Sequence, residues 1–279
     1  MGSLAHNTSS RSRGFNLKAY AEGNKAMRKL FLWLWDSAVE PVLERLHING
    51  SEHTNLIHIW WIGVGELSKA PFHAAGDHSR GSTRNTISRV ISSYIPIIRA
   101  LLYARQMRIS LFDPPHPLPD DRSRNQSPSS ESNPGILLVT MPSTDGQAPL
   151  PGVTTEVNGI LETLPMQAFR SKVLERPSSH QVLEELPLNK VMHFACHGVS
   201  DKHDPSNSRL LLNNSELSVR DISRVNTEAA QLVYLSACST AENPSRKLAN
   251  EVIHIASGFL LAGFSHVLAT LWESQDACS

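Results

Sequence analysis

Two apolar runs in this chain end in side chains suited to acyl transfer. One is Val191-Met192-His193-Phe194-Ala195-Cys196-His197-Gly198, the other Leu232-Val233-Tyr234-Leu235-Ser236-Ala237-Cys238-Ser239-Thr240. If both are strands of a parallel sheet, their carboxyl ends share a rim, and His197 and Cys238 can meet although 41 positions separate them. A thiol beside an imidazole is an activated nucleophile, because the ring takes the thiol proton and later returns one to the leaving amine. Gly198, directly after the histidine, lets a bound carbonyl approach the backbone, and its N–H with that of Cys238 can form an oxyanion hole.

Other reactive residues fit less well. Side chains alternate along a strand, so His193, Ala195 and His197 share one face while Phe194 and Cys196 share the other. Cys196 is therefore expected to be a packed, structural thiol. The same alternation argues against a metal site built from His193, Cys196 and His197, whose spacing matches no usual zinc pattern. His73 has no nucleophile near it in sequence and suits a turn or helix start. Gly63 and Gly65 lack the third glycine of a dinucleotide loop, and there is no phosphate-binding loop of the Walker A type. No metal and no cofactor are expected.

Positioning these groups requires a sheet with helices on both faces. After residue 135, continuous apolar runs over 136–140, 191–196, 232–237 and 266–271 alternate with helical patterns over 154–164, 179–186, 217–225 and 246–262, and short strands are expected over 172–175 and 210–212. Thr154 or Thr155 is the expected cap of the first of those helices. Apolar strands alternating with helices indicate a mostly parallel sheet covered on both sides. Earlier in the chain, residues 27–47 read as helical with a kink at Pro41, residues 58–65 as a strand ending in a glycine turn, and residues 97–107 as helical. Residues 1–25 read as a disordered leader. Residues 113–134 hold Pro114, Pro115, Pro117, Pro119 and Pro128 among Ser, Asp and Arg, and read as a flexible linker. Expected domains are thus 26–112 and 135–279.

Composition sets limits on function. The chain has 279 residues, with 26 basic and 26 acidic side chains, a balance that argues against a nucleic-acid binder relying on a broad basic surface. The apolar run 30–35 is too short to span a bilayer, so no membrane partner is expected. Three cysteines cannot all pair within one chain, and no secretory leader is visible, so the expected setting is the cytoplasm.

The ordered set of motifs resembles the CHAT family, caspase-like domains often found beside tetratricopeptide repeats. Its carriers are His193-Phe194-Ala195-Cys196-His197-Gly198, Leu235-Ser236-Ala237-Cys238-Ser239-Thr240, Ala256-Ser257-Gly258-Phe259-Leu260-Leu261-Ala262-Gly263-Phe264 and His266-Val267-Leu268-Ala269-Thr270-Leu271-Trp272. The segments Trp60-Trp61-Ile62-Gly63-Val64-Gly65-Glu66-Leu67, Pro71-Phe72-His73-Ala74-Ala75-Gly76 and Ile91-Ser92-Ser93-Tyr94 resemble fungal members. The resemblance covers roughly residues 30–279.

It implies a clan shared with caspases, separases and gingipains, and a three-layer caspase-like α/β fold, a mostly parallel sheet flanked by helices. The implied activity is that of a cysteine endopeptidase hydrolysing peptide bonds through a Cys/His dyad, with His197 and Cys238 on the catalytic positions and a polypeptide as substrate. Residues 26–112 would correspond to an inactive caspase-like subdomain, and residues 135–279 to the catalytic half. Family members usually continue past the Leu271-Trp272 pair with a further helix and strand, so the catalytic half is expected to be clipped at its C-terminus. The sensor or tetratricopeptide-repeat partner that many members carry is absent from this chain. The competing expectation is a catalytically silent interaction module, or a relic of a longer CHAT protein. In separases a similar Leu-Trp run carries an Asp facing the substrate arginine; by that resemblance Asp276 lies in the primary specificity pocket.

Overall fold

The computed structural model describes residues 17–48, 56–95, 134–165, 169–201, 203–225, 227, 230–236 and 255–270. The chain divides into two compact units, Met1–Ile59 with Pro71–Ser93, and Trp60–Ala70 with Tyr94–Ser279. The expected linker over 113–134 and the expected helix over 97–107 lie outside the described residues, apart from Pro134.

The first unit opens with helix α1 (Leu17–Leu34), a π-helical turn (Trp35–Val39) and helix α2 (Glu40–Arg45). α1 begins inside the stretch read as a disordered leader. Residues 21–30 are exposed throughout, so this part of the helix has no buried stripe for a periodicity reading to find, while Ala, Lys, Glu, Arg and Met favour it by propensity. Pro41 has no N–H to give its helix, and the wider π-turn just before it absorbs the irregularity. Leu34, Trp35, Val39 and Leu43 are buried along this run. Arg84 ties back to it through Asp36 and, at 3.4 Å, Glu40, and the Arg89 guanidinium lies 5.9 Å from the centre of the Trp35 ring. β1 (Ile57–Trp61) and β2 (Val90–Tyr94) form a two-stranded sheet, with His58 Nε2 hydrogen-bonded to Ser93 Oγ at 2.7 Å.

The second unit holds the parallel sheet. Its elements in chain order are β3 (Gly135–Thr140), α3 (Gly152–Thr163), β4 (Arg170–Glu175), α4 (Ser179–Glu185), β5 (Val191–Ala195), β6 (His197–Val199), β7 (Arg209–Leu212), β8 (Ser215–Ser218), α5 (Val219–Ser223), β9 (Leu232–Ser236), α6 (Ile255–Leu261) and β10 (His266–Ala269). Five strands pair in the order β10-β9-β5-β3-β4, every neighbour parallel. The chain thus starts at β3, steps one way to β4, then reverses to β5, β9 and β10. A right-handed crossover puts its helix on one face or the other according to the direction of the step, so the reversal covers both faces.

The cores confirm it. Ile136 and Leu138 pack with Val157 of α3 on one face. Leu137, Val139, Met192, Phe194, Val233 and Leu235 pack on the other, against Val182 of α4, Ile222 of α5 and Phe259 of α6. The expected mostly parallel α/β sheet flanked by helices is therefore what the chain forms. Among the described residues no helix is long and apolar enough to cross a membrane.

Three expectations shift. α3 starts at Gly152 rather than at a Thr154 or Thr155 cap, because Pro151 already holds helical angles (φ −66°, ψ −23°). The helix expected over 217–225 is split: Ser215–Ser218 forms β8, and α5 follows it. Asn214, at φ 50°, turns β7 into β8, and Ser218 with Asp221 forms a capping box that starts α5 only at Val219. Third, β6, β7 and β8 build a separate antiparallel sheet, in the order β6-β7-β8, where the chain leaves β5.

Phe194 is fully buried, its ring centre 5.3 Å from that of Phe259, which in turn meets Phe264 edge-on at 5.4 Å. Phe194→Ala should therefore destabilise the second unit by about 3–5 kcal/mol, read by chemical denaturation. A loss below about 1 kcal/mol would show that the site collapses around the missing ring.

Candidate functional site

Open parallel sheets bind ligands outside the carboxyl ends of their strands, where the strand order reverses. Here that point lies between β3 and β5. The two strands run in register from Ile136 with Val191 to Thr140 with Ala195, and the Met141 amide then donates to the Ala195 carbonyl at 2.9 Å. Past it the backbones diverge: residues 141–151 loop away to α3, while β5 bends at Cys196 and becomes β6.

His197 is the first residue of β6, half-buried and paired with Leu211 of β7. Gly198 follows, paired with Leu210. His197 Nε2 lies 2.8 Å from the Ala148 carbonyl oxygen in the loop after β3. A carbonyl only accepts, so this bond requires Nε2 to carry the proton and leaves Nδ1 as the basic nitrogen of the neutral ring. The loop is braced in turn by the Leu150 amide, which donates to the Pro142 carbonyl at 2.9 Å, and by Leu150 and Val153 packing on Ala195.

A cleft of about 550 Å³ opens beside this loop, lined among others by Met141, Thr144, Arg176, Val199, Arg209 and Asn214. Val199 lies two residues past His197 on the same strand, so cleft and imidazole share β6. Both charge signs meet there: Arg209 Nε sits 2.8 Å from Glu216 Oε1, and Asp145 and Arg176 also line the walls.

Cys196 sits on the opposite face from the His193 and His197 side of β5, inside the large core. It is 1% exposed, and burial pushes its thiol up to about 12. The structural reading of this cysteine holds. His73 lies in the single 3₁₀ turn Phe72–Ala74 of the first unit, where burial lowers its pKa. Cys238, Asp276 and Cys278 lie outside the described residues. The last described residue of β9 is Ser236, which pairs with Ala195.

Sequence reasoning missed one cluster on the α3 face of the sheet. The buried His193 ring places Nε2 3.4 Å from Glu156 Oε1 on α3, within ion-pair reach, and lies against Tyr234 of β9 with ring centres 4.9 Å apart. The Ser236 hydroxyl donates to Glu156 Oε2 at 3.1 Å. Burial pushes the Glu156 carboxyl up, but the His193 ring and the Ser236 hydroxyl outweigh it and hold the group below the usual range. The signal was partial: alternation placed His193 opposite Cys196, but no residue pattern says that α3 lies over that face. Among the described residues no three His, Cys, Asp or Glu side chains converge in a way that could hold a metal ion.

A doubly wound parallel sheet, helices on both faces and a histidine at the switch point define a three-layer α/β protein consistent with a caspase-like fold. The CHAT domain family profile matches residues 28–279, and the chain belongs to that family. That membership puts it in the caspase-like cysteine peptidase superfamily. A search of curated proteins finds no match. Among solved structures, a flavodoxin from Streptococcus pneumonia TIGR4 is 13% identical over 52% of this chain and 89% of that one, with a TM-score of 0.27, a likeness too slight to argue from.

The burial of Cys196 fixes an expectation for thiol chemistry. At pH 8 a thiol with a pKa of about 12 is ionised in about one molecule in ten thousand, and the core leaves no path to it. Iodoacetamide followed by peptide mass spectrometry should leave Cys196 unmodified in the native chain and alkylate it after unfolding. Rapid native modification would contradict the packing described.

Proposed function

We propose that this chain is a cytoplasmic cysteine endopeptidase that cleaves polypeptides with His197 as acid/base and Cys238 as nucleophile. The observation that carries this reading is the parallel register of β5 and β9. It runs at a constant offset, from Val191 with Leu232 to Ala195 with Ser236, 41 positions apart at each pair. His197 and Cys238 stand at the same offset, each two residues beyond the last pair of its strand. Both side chains thus follow the carboxyl ends of neighbouring parallel strands, where such sheets do their chemistry.

The tautomer of His197 supports the role. Its Nε2 proton is committed to Ala148, so Nδ1 is the nitrogen that takes the thiol proton. The thiolate of Cys238 then adds to the scissile carbonyl carbon, and the negative oxygen is met by the N–H groups of Gly198 and Cys238. His197 returns its proton to the leaving amine as the C–N bond breaks, giving a thioester. Water, deprotonated by the same ring, adds to the thioester and releases the acid and the free thiol. The cleft along Val199 and Arg209 offers room beside the imidazole for substrate residues flanking the cleaved bond. Asp276 supplies the specificity: a carboxylate at the floor of the primary pocket takes a guanidinium in a bidentate, charge-assisted pair.

An electrophilic peptide probe tests the nucleophile. Labelling should fall on Cys238, vanish in Cys238→Ala and survive in Cys196→Ala. Labelling that tracks Cys196 or Cys278, or none at all, would overturn the assignment and favour a silent interaction module. Specificity is tested separately with a library of peptides. Those with Arg or Lys before the scissile bond should be cleaved best, and Asp276→Ala should lose that preference while Cys238 stays reactive. A preference for Asp at that position would refute the role given to Asp276.

A further inference from the structure

The cluster of Glu156, His193 and Ser236 is not explained by the dyad. It is not a second catalytic triad, because the carboxylate stands between the imidazole and the hydroxyl, and the ring has no direct bond to Ser236. It is also a costly arrangement for stability alone. His193 is 3% exposed, neither of its ring nitrogens has a hydrogen-bond partner among the described residues, and a buried polar ring placed so costs more than an apolar one of the same shape.

What the cluster does is cross three elements. Glu156 projects from α3, His193 from the middle of β5 and Ser236 from the last described turn of β9. One carboxylate oxygen faces the ring and the other receives the Ser236 hydroxyl, so the helix is fastened to the end of β9 through a side chain that β5 holds in place. Ser236 needs such a fastening. Ala195, its partner in β5, is the last residue before the chain bends away into β6, so ladder support on that side ends there.

We propose that Glu156 is a positioning residue that fixes the carboxyl end of β9, the strand that Cys238 follows in sequence. The role given to Cys238 rests on the function proposed above. The anchor itself does not, since it concerns only the rigidity of the strand end. The His193 ring, 3.4 Å from the carboxylate, helps hold it below the usual range and so acts one step further from the strand end. An ionised acceptor makes the stronger bond to a hydroxyl, but a neutral amide oxygen in the same place accepts it too.

The experiment compares the full chain with Glu156→Ala, Glu156→Gln and Ser236→Ala. Two readouts are taken: the concentration dependence of Cys238 labelling by the electrophilic peptide, and amide hydrogen exchange in peptides covering 232–240. Glu156→Ala and Ser236→Ala should lower the maximal labelling rate on the order of tenfold to a hundredfold with the half-saturating probe concentration unchanged. They should also speed exchange at the end of β9 while β3 and β5 stay protected. Glu156→Gln should recover most of the loss in both. Unchanged exchange in Glu156→Ala overturns the anchor whatever the labelling does, and a Gln variant as impaired as the Ala variant shows that charge rather than the hydrogen bond matters, which also overturns it. If the unmodified chain is not labelled at Cys238, the nucleophile assignment falls, and the exchange comparison alone decides the anchor.

Discussion

The pairing of β5 with β3 on one side and β9 on the other is the constraint from which the rest follows. Both pairings are parallel and in register over the whole of β5, so three carboxyl ends arrive at one rim. The reversal of strand order at β3 keeps the rim open, because the connection from β3 to α3 and the exit from β5 go to opposite faces. Parallel pairing also demands long crossovers, which are the helices that cover the sheet. The proposed pairing of His197 with Cys238 rests on that register.

Strict alternation along β5 then sorts its side chains by task. Met192, Phe194 and Cys196 fill the large core with α4, α5 and α6. Val191, His193 and Ala195 face α3, a thinner layer in which Ile136, Leu138 and Val157 form the buried apolar set. The thick side supplies most of the buried apolar surface. The thin side can therefore carry polar groups at modest cost, and it is there that His193 and Glu156 are found. Most of the apolar burial and the His193–Glu156 pair thus lie on opposite faces of one strand.

Much of this was legible in the residues themselves. Continuous apolar runs named the buried strands, and their separation by helical patterns named a parallel sheet. The period of two assigned Cys196 to the core before any coordinates, and its raised pKa follows from that placement. What was not legible has physical causes. The antiparallel sheet of β6, β7 and β8 depends on pairing of short segments, where three or four residues give too little period to read. α1 from Leu17 has no apolar face over its first described turns, so only propensity marks it. The tie between His197 and Ala148 spans 49 positions and uses a backbone carbonyl, which no side-chain pattern can announce. The grouping of Glu156, His193 and Ser236 requires knowing which helix lies over which strand.

The two histidines on either side of the bend at Cys196, His193 in β5 and His197 in β6, show how a partner sets a role. His193 has a carboxylate partner in Glu156 and is closed off from solvent, so no substrate reaches it. His197 has a neutral partner. The Ala148 carbonyl orients the ring and selects the tautomer. It is also half-exposed, beside a cleft. Of the two, only His197 is both oriented by a hydrogen bond and reachable from solvent, as the acid/base role proposed for it requires.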